Sequence, residues 1–310
     1  YCIPDLESLV PKVGEEFATL SQITGNSGNS VPSLGLSNKG NKVAIAIPDR
    51  VQTFSSDGTQ IGSDISVQNA AAVVLSSGGA QMALQTATKL QLYELTLSGS
   101  ILEGEIQGTF STGASSTLLA ISDDGLSVVA AFDDAVRVYE KKFSAWSQRG
   151  TDLSSSAHAD HVDISADGSV IVFGSGSFVR TYAWSENDWQ VRGGSISGDR
   201  VSLSGDGGRI AVSIPSTNTV KTYSWRSTRW VQTGSDTSSD TSNGMIMSSD
   251  KTIMATCGLS NIELYQFNIG EWRLIRSETI SADICALSPD GSVLAYSAGG
   301  NVQVIATSLE

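Results

Sequence analysis

The chain has 310 residues, 40% of them apolar and only 16% charged, with 31 glycines. It is long enough for a sizeable core in one large domain or two small ones, and its composition is that of short strands and tight turns. The 32 acids and 19 bases leave a formal charge of −13, which repels phosphate backbones and excludes nucleic acid as the expected partner. No apolar run reaches the roughly 18 to 20 residues of a membrane-spanning helix.

In chain order, residues 1–15 carry Pro4 and Pro11 and read as an extended arm. The first residue is Tyr1, so a removed leader or a trimmed start is expected. With few lysines and many Ser and Thr, this points to an extracytosolic setting: secreted, periplasmic, or an organelle lumen such as the thylakoid lumen. The chain contains no Asn-x-Ser/Thr sequon, which argues against an exposed glycoprotein of the secretory pathway. The stretch "EFATLSQITG", residues 16 to 25, reads as a strand, and "GNSGNS", residues 25 to 30, as a flexible link.

From there one signature recurs: an apolar residue, Ser, two residues, then Gly. It reads "LSNKG" to Gly40, "LSSGG" to Gly79, "ISDDG" to Gly125, "ISADG" to Gly168, "LSGDG" to Gly207, "MSSDK" to Lys251 and "LSPDG" to Gly291. The spacings are 39, 46, 43, 39, 44 and 40 residues, so seven units fill the chain. Ser-x-Asp-Gly is hairpin punctuation, since Gly reaches positive φ freely and Asp satisfies nearby backbone donors.

A second signature, V-x-x-Y-x-W and a further W after four residues, follows each turn. Val179, Tyr182, Trp184 and Trp189 carry it in unit four, and Val220, Tyr223, Trp225 and Trp230 in unit five. Ile262, Tyr265, Phe267 and Trp272 carry it in unit six, and Val136, Tyr139, Lys141 and Trp146 in unit three. Units two and one keep weaker forms: Leu90, Tyr93, Leu95 and Ser100, then Val51, Phe54, Ser56 and Ile61. Alternating side chains put Tyr182 and Trp184 on one face, and Trp184 and Trp189 should meet across a hairpin.

Each unit is thus a four-stranded antiparallel sheet, apolar on both faces, and a ring of seven hides both. The expected fold is all-β, a seven-bladed β-propeller, with residues 16–310 as its single domain. A β-solenoid would want shorter, more uniform rungs. The last unit stops after its third strand, "NVQVIATSLE", while "EFATLSQITG" aligns with "EWRLIRSETI", residues 271 to 280, placing Phe17 where Trp272 sits. Residues 16 to 23 are therefore expected to complete blade seven and close the ring.

"LSPDGSVLAYSAGGNVQVI" resembles the blades of WD40-type propellers. "VSLSGDGGRIAVSI" with "VKTYSWRSTRWVQTGS" is similar to tandem repeats of algal extracellular and organelle proteins and of bacteria, described as WD40-like or FG-GAP-like. The resemblance covers nearly the whole chain and implies a binding scaffold that assembles proteins. The Gly-His and Trp-Asp dipeptides of true WD40 repeats are missing, as are the D-x-D-x-D-G calcium loops of the integrin-type repeat.

Motifs that carry chemistry are scarce. "GLSNKGNK", residues 35 to 42, has Asn41 where a phosphate-binding loop needs Lys, and it is the first unit's ordinary turn. "GSGSF", residues 174 to 178, falls short of a nucleophile elbow and reads as a strand end and loop. Both histidines, His158 and His161, sit with Asp160 and Asp163 in "SAHADHVDIS", four potential metal ligands within six residues. No remote ligand is identifiable, and a solvated loop or a partner contact fits as well. That loop enters the innermost strand of blade four, on the face shared with the connections holding Asp49 and Arg50 and Asp133 and Asp134. The opposite face carries Lys141, Lys142, Arg226 and Arg229 among Glu186 and Asp188. The three cysteines, Cys2, Cys257 and Cys285, allow one disulfide at most and are read first as buried apolar side chains.

The expectation is a non-enzymatic scaffold for a protein partner, a peripheral subunit of a larger and possibly membrane-associated complex, with no cofactor. Its partner-binding candidates are His158, Asp160, His161, Asp133, Asp134, Asp49 and Arg50. Two alternatives stand beside it: an extracytosolic hydrolase or lyase with its site at the channel mouth, and a carbohydrate or surface adhesion module.

Overall fold

The computed structural model describes residues 19–23, 31, 33–96, 98–109, 118–153 and 159–307. Within them the chain forms seven antiparallel sheets in sequence. Blade one comprises Ser33–Leu36, Lys42–Ile47, Arg50–Ser55 and Ile65–Ser66; blade two, Ala70–Leu75, Gln81–Thr86, Lys89–Thr96 and Gly99–Gln107. Blade three comprises Leu119–Ile121, Ser127–Ala131, Val136–Lys142 and Ala145–Gln148; blade four, His161–Ile164, Val170–Ser175, Phe178–Ser185 and Asp188–Val191. Blade five comprises Val201–Leu203, Arg209–Ile214, Thr219–Arg226 and Arg229–Gln232; blade six, Gly244–Met247, Ile253–Cys257, Ile262–Asn268 and Glu271–Glu278. Blade seven has Ile284–Leu287, Val293–Ala298 and Asn301–Ala306, and its outer place is taken by Thr19–Ile23. The inner strands touch one another in turn, and that of blade seven touches that of blade one. The fold is an all-β seven-bladed propeller.

The closure expected for the ends is present over residues 19–23. Thr19 lies opposite Ile305 and Ile23 opposite Val302, antiparallel to the last strand. Phe17 and the arm at 1–15 lie outside the described residues. Blades four and five each gain a short extra strand, Ile196–Ser197 and Thr237–Ser238, on their third strands. Blade one departs from its expected outer hairpin. Asp57 Oδ1 accepts from Ser55 Oγ and Thr59 N, so the chain turns early. Phe54 then faces Gln60, and Ser56 falls inside the turn and does not oppose Ile61.

The inner turns explain why the signature repeats. In all seven the serine hydroxyl accepts the amide five residues on, at 2.8 to 3.1 Å. Where the turn has aspartate, the same hydroxyl donates to it, as Ser165 does to Asp167 at 2.7 Å and Ser204 to Asp206 at 2.8 Å. All seven serines are buried. The turn's last residue sits at φ of 61° to 73°, which glycine adopts freely and Lys251, the one exception, adopts at a cost.

The residue after each serine links the blades. Asn38 N donates to Ser77 O, Ser77 N to Asp123 O, Asp123 N to Ala166 O, Ala166 N to Gly205 O, Gly205 N to Ser249 O and Ser249 N to Pro289 O. Six amide bonds thus form a collar around the channel. Proline has no N–H, so the collar is open between blades seven and one, where Lys39 N donates instead to Asp290 Oδ1 at 3.2 Å.

Buried apolar side chains gather into seven clusters, one per seam between blades. The outer aromatics reinforce three seams. Trp184 and Trp189 meet edge to face at 5.2 Å, as do Trp225 and Trp230, and Phe267 and Trp272 at 5.0 Å. Such pairs contribute about 0.5 to 1.5 kcal/mol beyond buried area. Each pair lies under a guanidinium from the preceding blade: Arg149 is 4.4 Å from the Trp184 ring, Arg192 4.6 Å from Trp225, and Arg209 3.7 Å from Phe267. Each second tryptophan donates its indole N–H back to that blade, Trp189 to Arg149 O, Trp230 to Thr181 Oγ1 and Trp272 to Thr222 Oγ1.

The cysteine expectation needs correcting. Cys257, ending the second strand of blade six, is bonded to Cys285 in the inner strand of blade seven. Both are buried, as expected, but they form a covalent tie across a seam. Reading them as apolar filler missed that the ring brings two strands without shared hydrogen bonds to a Cα separation of 6.5 Å, within disulfide reach.

Two outcomes test this account. Ser204→Ala leaves the Arg209 amide and Asp206 without their hydroxyl partner and should lower stability by about 1 to 3 kcal/mol in urea unfolding. Replacing Cys257 and Cys285 together by Ala should cost about 3 to 4 kcal/mol, from the loop of 28 residues the bond closes. Addition of dithiothreitol should then leave the double variant's transition unmoved.

Candidate functional site: the upper channel mouth

The inner strands enclose a channel holding about 220 Å³ of space. Residues two and four before each turn serine turn toward it and toward the following blade. On five blades these are apolar or small: Gly35 and Ser33, Val74 and Ala72, Ala120 and Leu118, Ile246 and Gly244, Ala286 and Ile284. Blades four and five differ, placing His161 above Asp163 and Arg200 above Ser202. One wall of an otherwise apolar channel is therefore polar.

The Asp163 carboxylate is held by its wall. It accepts from Leu203 N at 2.7 Å, from Ile164 N at 2.8 Å and from Ser202 Oγ at 3.3 Å. Ser202 Oγ in turn accepts Met247 N at 3.0 Å, so one chain of contacts runs through blades four, five and six. Burial pushes the Asp163 pKa up to about 6 against the pull of these donors, and the Asp123 charge adds to the rise. The Asp123 pKa is itself raised by burial, against the pull of Ser249 in blade six.

His161 is buried, and burial with the nearby Arg200 charge brings its pKa down to about 3. It is a neutral imidazole at physiological pH. Its strand partner Gly174 is glycine for a local reason: a Cβ there would lie 1.9 Å from Asp199 O. Arg200 donates to Ser242 O at 2.8 Å. Burial lowers its pKa, while Asp199, Asp160 and Asp240 around the mouth oppose that fall.

Of the four residues read as metal candidates, His158 lies outside the described residues, and the other three do not converge. Asp160 accepts Gly176 N at 3.3 Å at the rim, His161 is buried in the wall, and Asp163 is engaged below. Among the described residues no three or more His, Cys, Asp or Glu side chains are grouped to hold a metal ion. The remaining partner candidates share this face. Arg50 pairs with Asp49 at 3.2 Å and Asp64 at 3.1 Å. Asp134 is 3.1 Å from Arg137, which also holds Asp152 at 2.8 Å, and Asp133 N donates to Thr109 O. Sequence reasoning missed Arg200 and Ser202. The signal was positional: counting back two and four residues from each turn serine picks out the two blades whose inner strands are polar.

A scan against protein-family models finds no match for the chain, and a search of curated proteins finds no similar one. Among the described residues no helix is long and apolar enough to cross a membrane.

Asp163 and His161 give opposite pH signatures. Asp163 holds its proton up to about pH 6 in the folded state, so the stability it contributes is full below its ordinary value of 3.8 and lost as pH rises to 6. His161 resists protonation, so its contribution is full above 6.5 and lost as pH falls toward 3. In urea unfolding at pH 4, 5, 6 and 7, Asp163→Asn should remove a decline between pH 4 and 6. His161→Asn should remove a decline on the acid side. Each change should be on the order of a few kcal/mol.

Proposed function

We propose that the protein is a non-enzymatic scaffold of the WD40-like or FG-GAP-like kind that docks a protein partner on the face around the channel mouth. The observation that carries this reading is the charge there. Asp160, Asp199 and Asp240 lie around Arg200 at the opening, and Asp133, Asp134 and Asp283 come from connections of blades three and seven on the same face. Loops set on a rigid ring are where propellers of this kind bind, and an acidic mouth fits a partner with a basic segment.

The disulfide supports an oxidising, extracytosolic compartment, and a peripheral place in a larger complex accords with a chain spent on repeat scaffold. The hydrolase or lyase reading asks for carboxylates and His158 or His161 converging in one pocket; His161 and Asp163 both line the channel, and the Asp163 oxygens are bonded to Leu203, Ile164 and Ser202. The adhesion reading asks for exposed aromatics on one face, whereas the tryptophan pairs pack at the seams.

Cross-linking in native extract, followed by mass spectrometry, tests the proposal. Cross-links should map to the connections around Asp133, Asp160, Asp199 and Asp240, and Asp199→Lys with Asp240→Lys should weaken the recovered complex about tenfold or more. A partner held on the opposite face, unaffected by the two lysines, would reject it.

A further inference from the structure

We propose that the channel binds an alkylammonium group, with the Asp163 carboxylate as its counter-ion. This assignment concerns the channel itself and stands apart from the docking role of the surrounding face. Among the described residues no cationic side chain lies within ion-pair distance of Asp163, although Asp163 lines the channel. Asp163 is part-buried, and a carboxylate drawn out of water is ordinarily compensated by a cation, because desolvating an uncompensated charge is costly. A carboxylate offers about four acceptor sites. Leu203 N and Ser202 Oγ occupy Oδ2, and Ile164 N occupies only one site on Oδ1.

The vacant capacity is one acceptor position. A guanidinium presents a planar fork and favours bidentate contact, whereas an ammonium is a compact point charge that needs a single oxygen. The rest of the lining decides what the ammonium is attached to. Leu118, Ala120, Val74, Ile246, Ile284 and Ala286 offer hydrocarbon on the other walls. They suit an unbranched aliphatic stem, and the 220 Å³ of space has room for a short one. The sign of the mouth agrees, since Asp160, Asp199 and Asp240 outnumber Arg200, whose guanidinium is turned to Ser242 O. The raised pKa of Asp163 is a consequence of the same desolvation, and an arriving ammonium would draw its proton off. The chemistry is that of a free aliphatic amine or of a lysine side chain.

The test is a two-dimensional amide NMR titration of the whole chain with n-butylammonium chloride at constant ionic strength, beside n-butanol as the neutral isostere. The amides of Ile164 and Leu203 should shift saturably with the amine and not with the alcohol. Asp163→Asn should weaken the amine about tenfold or more, and Ala286→Phe should do so by filling the channel from the far wall with the carboxylate intact. Equal saturation by n-butanol, no saturation by the amine, or unchanged affinity in a folded Asp163→Asn variant would overturn the assignment. If that variant does not fold, unchanged affinity in Ala286→Phe overturns it. N-acetyl-lysine-N-methylamide separates the sources: binding as tight as butylammonium assigns the site to a lysine side chain, and binding by butylammonium alone assigns it to a free amine. The cross-linking outcome for a partner can fail without moving any of these results.

Discussion

Every inner turn buries a serine hydroxyl, and the rest of the ring is built outward from it. An unpaired hydroxyl in that position would cost about 1 to 3 kcal/mol. Here the oxygen takes the amide of the second strand and, in five blades, its proton goes to the aspartate two residues on. That fixes the angle at which the second strand leaves the first. It also points the next residue's amide along the circumference, where it finds the carbonyl of the following blade. A local turn thereby becomes a contact between repeats, which is how a chain of small sheets that cannot fold alone acquires cooperativity.

What could be read in the sequence follows from which constraints are local. The Ser-x-Asp-Gly turn shows itself because one conformation demands those residues in that order. Trp184 and Trp189 were legible as a facing pair because a four-residue hairpin turn fixes their register, and they lie opposite one another. The closing strand was legible from an omission, a seventh unit one strand short. Blade one was misread in its outer hairpin because Asp57 supplies a tighter turn than the pattern assumes.

The disulfide and the polar channel wall were hidden for a different reason. Cys257 and Cys285 sit on strands of different sheets, and their approach depends on how two blades are phased, which no local pattern states. Arg200 and Ser202 belong to no motif, and neither residue type is unusual in a strand. They acquire meaning only when seven inner strands face one axis, so that His161 and Asp163 become their neighbours. The clustered histidines drew attention to the right blade, where His161 and Asp163 both line the channel.

Pro289 gives the ring a direction. With six amide links and one gap, the collar is a split washer, and the gap falls where the first and last blades meet. At that seam the main chain contributes one bond fewer, and the joint rests instead on the Lys39 amide at the Asp290 carboxylate, on the buried side chains the two blades share, and on Thr19–Ile23 laid along the last strand.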